Sequence, residues 1–576
     1  MKKPVLVRLS RFLRPYGFRF LLLLALLMAG NLLSLAAPLL SGRAVDAVGI
    51  RADGVDFPGV FRNCALMLGC YALSSLFNYI VSSRLIRVSQ SVSHDLRRAA
   101  FDRMSELPVD YFDTHPAGDL ISRVCYDVDT VNATLSTDLL QLGTSVFTVA
   151  GSFLMLLLLS PRLTLVFLVT VPLSAALTRF QMKRIHPLFR LRSKELGALN
   201  GFAEERMGCR KSIRTYGVED ADLRLFDQRN DAASKAYYDA DRASASLGPS
   251  VNFINNLSLA AVSVFGALLY LGGGLTLGSL SSFVLYSRKF SGPIREAANL
   301  LAELQASAAA AERVMDLLDE EPEAVDSPEA LPVEHLRGDI RFDCVTFGYD
   351  PARPVLRDFT AHIPAGSLAA VVGPTGAGKT TLVSLLLRFY RPQSGTVTVD
   401  GMPLDAYSRD SLRRRLALVL QDTWLFGGTI AENIAYGAPR ATREQIVEAA
   451  KAARIHRFIS SLPLGYDTVL TDEGISKGQK QLLAIARCLL TDADVVILDE
   501  ATSNVDTETE GEISLAMERL RQGRTCFVIA HRLATIRGAD RILVLDQGGA
   551  AEQGTHRELL AAGGLYAQLY AAQFQS

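Results

Sequence analysis

A glycine-rich segment at residues 373–380 has the residue types and spacing of a phosphate-binding loop. It fits the pattern G-x-x-x-x-G-K-[ST] with Gly373, Pro374, Thr375, Gly376, Ala377, Gly378, Lys379 and Thr380, and Thr381 follows. Glycines let backbone N–H groups curl around phosphate oxygens, and the N-terminus of a following helix adds positive potential. The segment therefore predicts binding of ATP and Mg²⁺, with Lys379 reaching the β- and γ-phosphates and the Thr380 hydroxyl ligating the metal.

A pair of acidic residues, Asp499 and Glu500, follows the apolar segment 495–498. Adjacent carboxylates at the end of a buried strand are costly unless they meet a cation or handle a proton. We expect Asp499 to hold Mg²⁺ through its water shell, and Glu500 to act as the general base that polarises the attacking water. Many strands end in acids, so the pair is informative because a phosphate-binding loop accompanies it.

Two more predicted strands are followed by polar residues. Gln421 comes directly after 415–420, and His531 comes directly after 526–530. A single Gln or His at a strand end is usually structural. Four strands that all deliver polar groups at their carboxyl ends are typical of the ligand edge of an open α/β sheet. We therefore expect Gln421 to position the water and the metal, and His531 to sense the γ-phosphate.

Other candidate nucleotide contacts have a structural and a functional interpretation. Tyr349 lies on a predicted loop, where its ring could stack on adenine or simply pack against the protein. Ser476 precedes an apolar-striped helix and could be its N-cap, but its place in the chain between Gln421 and Asp499 favours a phosphate contact. The candidates outside the loop are Tyr349, Ser476, Gly478 and Gln479.

These residues require two kinds of scaffold. After residue 338, short β-branched strands alternate with helices, which predicts an α/β domain. The N-terminal half instead contains long uncharged runs, at 20–41, 63–83, 139–161, 163–178 and 243–287. A membrane-spanning helix needs about 20 apolar residues, and the last run is long enough for two spans with a turn at the glycines of 272–278. The expected fold is an α-helical membrane domain with six spans joined to an α/β P-loop domain.

Basic residues predict how the spans are oriented. Lys and Arg are concentrated before the first span and in the segments 84–138 and 179–242, which places both termini and the α/β domain in the cytoplasm. Both segments are predicted to be helical hairpins. Their tips, near 107–123 and 204–219, suit a short transverse helix that inserts into a groove, although an ordinary loop is the alternative.

The predicted domain boundaries follow composition. The membrane domain covers 1–310, a charged and proline-rich linker covers 311–337, and the nucleotide-binding domain covers 338–576. The chain has 60 basic and 60 acidic residues, so its charge favours neither nucleic acid nor an acidic partner. The seven cysteines are scattered without a C-x-x-C pair, which argues against a cysteine metal site.

The motifs in this order resemble those of ATP-binding cassette (ABC) transporters of the exporter type, in which one membrane domain is fused to one nucleotide-binding domain. The resemblance extends over nearly the full chain and includes the first hairpin tip, Gln421, the Ser476 motif, the acidic pair and His531. It implies a dimer in a bacterial cell membrane, in which each ATP is enclosed between the loop of one chain and the Ser476 motif of the other.

One departure from the family pattern bears on the partner. The usual signature is Leu-Ser-Gly-Gly-Gln, but Lys477 stands where a glycine is usual. An intact acidic pair beside an altered signature resembles the catalytically competent chain of heterodimeric multidrug exporters. A heterodimer is therefore favoured over a homodimer, with the ATP site completed by Lys477 being the weak one.

Few charges interrupt the spans, so an amphipathic or apolar solute fits better than a multiply charged one. The resemblance implies export of a multidrug- or lipid-like small molecule by alternating access, with membrane lipid as a further partner. An importer built on the same fold, such as one for a siderophore, and a non-pumping ATP-gated regulator are the alternatives.

Overall fold

The computed structural model describes residues 5–49, 55–420, 423–470, 474–499, 507–530 and 533–574. The chain divides into two compact units. The helical unit comprises residues 1–105 and 117–320, and the α/β unit comprises residues 106–116 and 321–576.

The N-terminal half is helical throughout the residues that the structure describes. Its helices are α1 (Val5–Leu13), α2 (Gly17–Val48), α3 (Phe57–Glu106), α4 (Val109–Thr114), α5 (Ala117–Ser122), α6 (Val128–Ala133), α7 (Leu139–Leu159), α8 (Pro161–Gly208), α9 (Arg210–Tyr216), α10 (Glu219–Ala245), α11 (Leu247–Leu271) and α12 (Leu277–Asp319). Two π-helical turns, Arg123–Asp127 and Thr134–Asp138, make α5 to α7 nearly continuous.

Five helical segments of the described chain are long and apolar enough to cross a membrane. They are Val7–Val48, Phe57–Glu106, Ala117–Leu159, Pro161–Gly208 and Glu219–Leu271. Large apolar side chains such as Leu158 and Leu168 are about three-quarters exposed on these helices (71% and 72%), as expected for surfaces that contact lipid. The helical membrane domain predicted from the sequence is therefore confirmed.

The sixth expected span corresponds to the start of α12. The predicted turn is present, because α11 ends at Leu271 and α12 begins at Leu277. The uncharged part of α12 ends at Ser287 and is too short to cross a bilayer by itself. A span of about 20 residues along this helix therefore includes Arg288 and Lys289.

Close backbone contact joins α2 to α12. A Cβ atom added at Gly42 would lie 2.3 Å from the carbonyl oxygen of Gly278, and one added at Gly278 would lie 1.9 Å from that of Gly42. The Asp46 carboxylate also accepts hydrogen bonds from the Thr276 hydroxyl (2.8 Å) and the Gly278 N–H (2.7 Å). Small residues at such a crossing allow two helices to pack closely inside a membrane.

Both predicted hairpin tips contain a short helix. In the first, Pro108 precedes α4. In the second, α9 ends at Tyr216 and Gly217 follows in the left-handed conformation (φ +64°) that is typical of a helix C-terminus. The short helices predicted at these tips are confirmed, and residues 106–116 group with the α/β unit.

The C-terminal half alternates strands and helices, as predicted. Its elements are β1 (Ile340–Phe347), β2 (Leu356–Ile363), β3 (Leu368–Val372), α13 (Lys379–Leu386), β4 (Ser394–Val399), β5 (Met402–Pro403), α14 (Arg409–Arg414), β6 (Leu416–Val419), α15 (Ile430–Ile434), α16 (Arg443–Ala452), α17 (His456–Ser461), α18 (Lys477–Leu490), β7 (Val495–Asp499), α19 (Thr507–Arg521), β8 (Thr525–Ile529), α20 (Leu533–Arg537), β9 (Arg541–Asp546), β10 (Gly549–Gly554), α21 (His556–Ala562) and α22 (Leu565–Phe574).

Two sheets organise the α/β unit. The larger has the order β10-β9-β3-β8-β7-β6, in which β9, β3, β8, β7 and β6 are parallel and β10 is antiparallel. The smaller is antiparallel, with the order β2-β1-β4-β5. Every residue of β3 is buried, and alternate residues enter the two hydrophobic cores on opposite faces of the sheet.

The segment expected to be a linker, 311–337, has two different structures. Helix α12 continues through its first part to Asp319, where Arg8 pairs with Asp316 (3.2 Å) and Asp319 (2.7 Å). The remainder is bound to the α/β unit, because Glu323 pairs with Arg413 at 2.8 Å.

Candidate functional site

The glycine-rich loop connects β3 to the N-terminus of α13, in the strand–loop–helix context that phosphate-binding loops need. Gly376 and Gly378 have left-handed φ angles of +85° and +98°, a region that favours glycine. A Cβ added at Gly373 would lie 2.4 Å from the carbonyl oxygen of Leu545, so no larger residue fits there without a shift. The loop thus keeps its backbone exposed beside a helix N-terminus.

The predicted loop residues are divided between surface and core. Pro374, Thr375, Gly376 and Thr380 are exposed, Gly373 and Lys379 are half-buried, and Ala377, Gly378 and Thr381 are buried. Exposed members are free to approach a ligand, whereas buried ones fix the loop in place. Ala377, for example, belongs to the core on one face of the large sheet.

Lys379 folds back over the loop. Its Nζ donates hydrogen bonds to the carbonyl oxygens of Gly373 (2.8 Å) and Pro374 (3.0 Å). Burial lowers the pKa of the Lys379 ammonium, and the negative charge of Asp499 opposes that shift. The sequence places these two residues far apart, and the fold brings them into one electrostatic environment, as a site for Mg²⁺ and phosphate requires.

The carboxyl ends of four parallel strands lie side by side. Strands β3, β8, β7 and β6 are consecutive neighbours in the sheet, so the ligand edge predicted from the sequence exists. Asp499 is the last residue of β7 and pairs with Ile529 of β8. The three other predicted residues of this edge, Gln421, Glu500 and His531, lie outside the described residues, and their roles stay predictions.

Tyr349 lies beside the loop and is about half exposed (52%). Its hydroxyl is 3.4 Å from that of Thr381, and its ring meets those of Phe347 (5.3 Å) and Tyr390 (5.2 Å) edge to face. Packing and exposure coexist here, because the edge contacts hold the ring while part of it stays open. The arrangement suits a stacking surface for a planar base.

Ser476 forms the N-cap of α18. Its hydroxyl accepts a hydrogen bond from the Gln479 backbone N–H (3.2 Å), and the side-chain Oε1 of Gln479 accepts one from the Ser476 N–H (3.0 Å). This capping box is the structural interpretation of Ser476. Lys477 follows as an exposed residue and Gly478 is buried. A phosphate contact of this motif across a dimer stays a prediction.

One residue of the α/β unit was not anticipated from the sequence. The Tyr390 hydroxyl donates a hydrogen bond to the carboxylate of Asp113 in α4, and the Glu323 N–H donates to the Glu106 carbonyl (2.7 Å). Burial raises the pKa of the Tyr390 phenol, and the bond to Asp113 raises it further. Because Tyr390 also contacts Tyr349, it connects the base-stacking candidate to the hairpin tip.

The described residues fit ATP and Mg²⁺. The loop backbone turns through the left-handed conformations of Gly376 and Gly378 into the N-terminus of α13, and Lys379 and Asp499 supply a cation and a carboxylate. Among the described residues, Thr380 and Asp499 offer the oxygen ligands that Mg²⁺ prefers. A nucleotide-binding α/β domain in one chain with membrane-spanning helices defines an ATP-driven membrane transporter.

Comparison with protein families gives the same result. Residues 20–294 match the family described as ABC transporter transmembrane region, and residues 356–503 match the family described as ABC transporter. The chain therefore belongs to the ABC transporter family, as a half-transporter of the exporter type whose ATPase is coupled to transport. It is a multi-pass membrane protein.

Several characterised or named proteins are similar along most of the chain. A fatty acid ABC transporter ATP-binding/permease protein of Mycobacterium tuberculosis is 44% identical over 92% of this chain and 84% of its own length. An ATP-dependent lipid A-core flippase of Chromohalobacter salexigens is 37% identical over 91% of each chain. A solved bacterial Atm1-family ABC exporter with ATP bound aligns with a TM-score of 0.78 and 30% identity, covering 98% of both chains.

Proposed function

We propose that this chain is one half of an ATP-driven exporter that moves a hydrophobic or amphipathic solute across a bacterial cell membrane. The observation that supports this most is the fusion of the strand-edge ATP site to helices long and apolar enough to span a bilayer. Basic residues in the hairpins support a cytoplasmic position for the ATPase domain and both termini.

At the ATP site, each group of the chain has a distinct task. Lys379 and the loop N–H groups bind the β- and γ-phosphates, Tyr349 stacks on the base, and Gln421 orients the attacking water. Glu500 takes a proton from that water. The water oxygen bonds to the γ-phosphorus while the bond between the γ-phosphorus and the bridging β-phosphate oxygen breaks. Mg²⁺, held by Thr380, Asp499 and Gln421, would neutralise charge on the phosphates. His531 contacts the γ-phosphate.

Closure of the site needs a second half-transporter. The Ser476 motif of one chain would complete the loop of the other, so ATP stabilises the closed pair more than the open one. Loss of the γ-phosphate then releases the pair. The hairpin tips transmit the motion as rigid-body rocking, which exposes the solute path alternately to the two sides.

The solute is proposed to be amphipathic and lipid-like. The names of the mycobacterial and Chromohalobacter relatives, a fatty acid transporter and a lipid A-core flippase, both indicate substrates that carry acyl chains. The helical unit also contains an apolar cavity of about 300 Å³ between α7, α8 and α12, whose lining includes Phe153, Phe167 and Phe290. Such a surface favours hydrocarbon over a multiply charged solute.

Transport in vesicles tests the proposal. ATP-driven accumulation of a labelled fatty acid or lipophilic dye in inside-out vesicles supports export, and the Glu500→Gln variant is the matched inactive control. Uptake into right-side-out vesicles would instead indicate an importer. ATP hydrolysis without movement of any solute would indicate a regulator.

The partner is proposed to be a different chain, because exposed Lys477 begins α18 where the family pattern has glycine. A bulkier residue with restricted φ hinders close backbone approach to the partner's phosphate. The purified chain alone should therefore hydrolyse ATP slowly, and Lys477→Gly should raise that rate. Vigorous ATPase of the unmodified chain alone would contradict the heterodimer.

A further inference from the structure

Helix α12 carries a lysine beside the uncharged part of α2. At about 1.5 Å per residue, Lys289 lies about 18 Å along α12 from Leu277, a distance shorter than the roughly 30 Å thickness of a hydrocarbon core. Its contact on α2, Ser34, belongs to the uncharged run 20–41. A charged group inside a hydrocarbon core is costly, and such residues usually face a partner, a cavity or a substrate path.

The contacts of Lys289 originate in a proline of the neighbouring helix. Pro38 lies inside α2 and has no N–H, so the Ser34 carbonyl oxygen loses the donor it would have within the helix. Lys289 Nζ donates to that oxygen (2.6 Å) and to the Ser34 hydroxyl oxygen (2.9 Å). Tyr286 donates to the next carbonyl, that of Leu35.

A neutral donor would be enough to satisfy these carbonyls. Tyr286 serves Leu35 with a hydroxyl, and Ser282 serves the Pro38 carbonyl with another (2.8 Å). Lysine adds a full charge that a hydrogen bond to the Ser34 carbonyl does not need. Among the described residues, no carboxylate lies within 4.0 Å of its ammonium.

Lys289 and Ser34 can donate further hydrogen bonds. The ammonium has three N–H groups and uses two for Ser34, and the Ser34 hydroxyl accepts from it, so that hydroxyl can donate its own hydrogen. The Lys289 side chain is half-buried, which leaves part of it accessible. On α12 the aromatic side chains of Phe283 and Tyr286 precede Lys289 and that of Phe290 follows it, and all three are buried. These features match an anionic group attached to hydrocarbon.

We infer that Lys289 binds the anionic headgroup of an amphipathic solute, a carboxylate or a phosphate on an acyl chain, with Ser34 as a second donor. The inference rests on the proposed export of a lipid-like solute and specifies what the solute path recognises. The bound anion supplies an opposite charge, which none of the described carboxylates places within 4.0 Å of this ammonium.

Direct binding tests this without ATP turnover. The full chain is placed in lipid nanodiscs, and binding of labelled palmitate, hexadecyl phosphate and hexadecanol is compared. Lys289→Gln keeps an N–H donor for Ser34 but removes the charge. Arg288→Gln removes the adjacent, exposed cation from the same helix and is the matched control. Lys289→Arg keeps the charge.

Lys289→Gln should weaken binding of the two anions by about tenfold or more and change hexadecanol by less than about twofold. Arg288→Gln should leave all three within about twofold, and Lys289→Arg should retain anion binding. Loss confined to palmitate or to hexadecyl phosphate would assign the headgroup. Unchanged anion binding in Lys289→Gln, an equal loss of hexadecanol, or no palmitate binding by the wild type would overturn the inference.

The outcome is separable from the proposed transport. If selective anion binding is lost in Lys289→Gln but the wild type moves no solute in vesicles, the headgroup site stands and the exporter proposal fails. If vesicles accumulate a neutral dye and anion binding ignores Lys289, the exporter proposal stands and the headgroup site fails.

Discussion

Replacing Gly373 with alanine should displace the phosphate-binding loop. The added Cβ would lie 2.4 Å from the carbonyl oxygen of Leu545, well below the ordinary contact distance of 3.4 Å. Leu545 is fully buried in β9, the strand paired with β3, so its backbone has little freedom to move. The loop must therefore give way by about 1 Å, moving the N–H groups that are proposed to bind phosphate.

The cost can be placed between two limits. Forcing an extra methyl group into a packed site costs about 1–3 kcal/mol. If the loop alone absorbs this, ATP affinity should fall about 5- to 150-fold. If the sheet absorbs it instead, the same free energy appears as lower thermal stability of the α/β domain. The two readouts together therefore account for the whole perturbation.

Fluorescent ATP binding and thermal unfolding of the purified chain measure the two parts. Gly366→Ala is the matched control, because it lies before the same strand with φ +71° but no atom lies within 4 Å of its added Cβ. It should cost about 1–2 kcal/mol of stability through backbone strain and leave ATP affinity unchanged. Wild-type affinity and stability in Gly373→Ala would refute the close contact with Leu545.

Three further predictions address the base, the hairpin contact and the helix crossing. Glu500→Gln should bind fluorescent ATP normally but release no phosphate; near-normal turnover would exclude Glu500 as the base. Tyr390→Phe and Asp113→Ala should each lower solute-stimulated ATPase, and the double variant should lower it no further, because both remove one hydrogen bond worth about 1 kcal/mol. Additive losses would contradict a shared bond. Gly42→Ala should destabilise the detergent-solubilised chain by about 1–3 kcal/mol, because the added Cβ meets a backbone carbonyl of α12. Gly69→Ala is the control, since its added Cβ has open space. Equal melting temperatures of the two variants would show that α2 and α12 do not touch at Gly42.

Local patterns were sufficient to predict the strand–loop–helix setting of the glycine-rich loop and the strand end at Asp499, because both are defined by short spacings. The glycines of 373–378 are needed where the backbone turns tightly, and Asp499 follows a continuous apolar strand. The topology that brings these ends together was predictable too, because the polar groups of parallel strands appear at one edge. A local pattern does not decide the role of Ser476. The serine and Gln479 form a capping box at the start of α18, and this structural role accounts for the pattern without a phosphate contact.

Sequence alone determined the class of the protein, since uncharged runs and the phosphate-binding pattern depend on residues close together in the chain. Only the tertiary structure decided which distant groups meet. The Tyr390–Asp113 hydrogen bond joins residues 277 positions apart, and the Lys289–Ser34 contact joins residues 255 apart. In sequence, Lys289 merely follows an apolar run. Its significance depends on α12 lying against the Ser34 carbonyl that Pro38 leaves without a donor, which only the position of both helices decides.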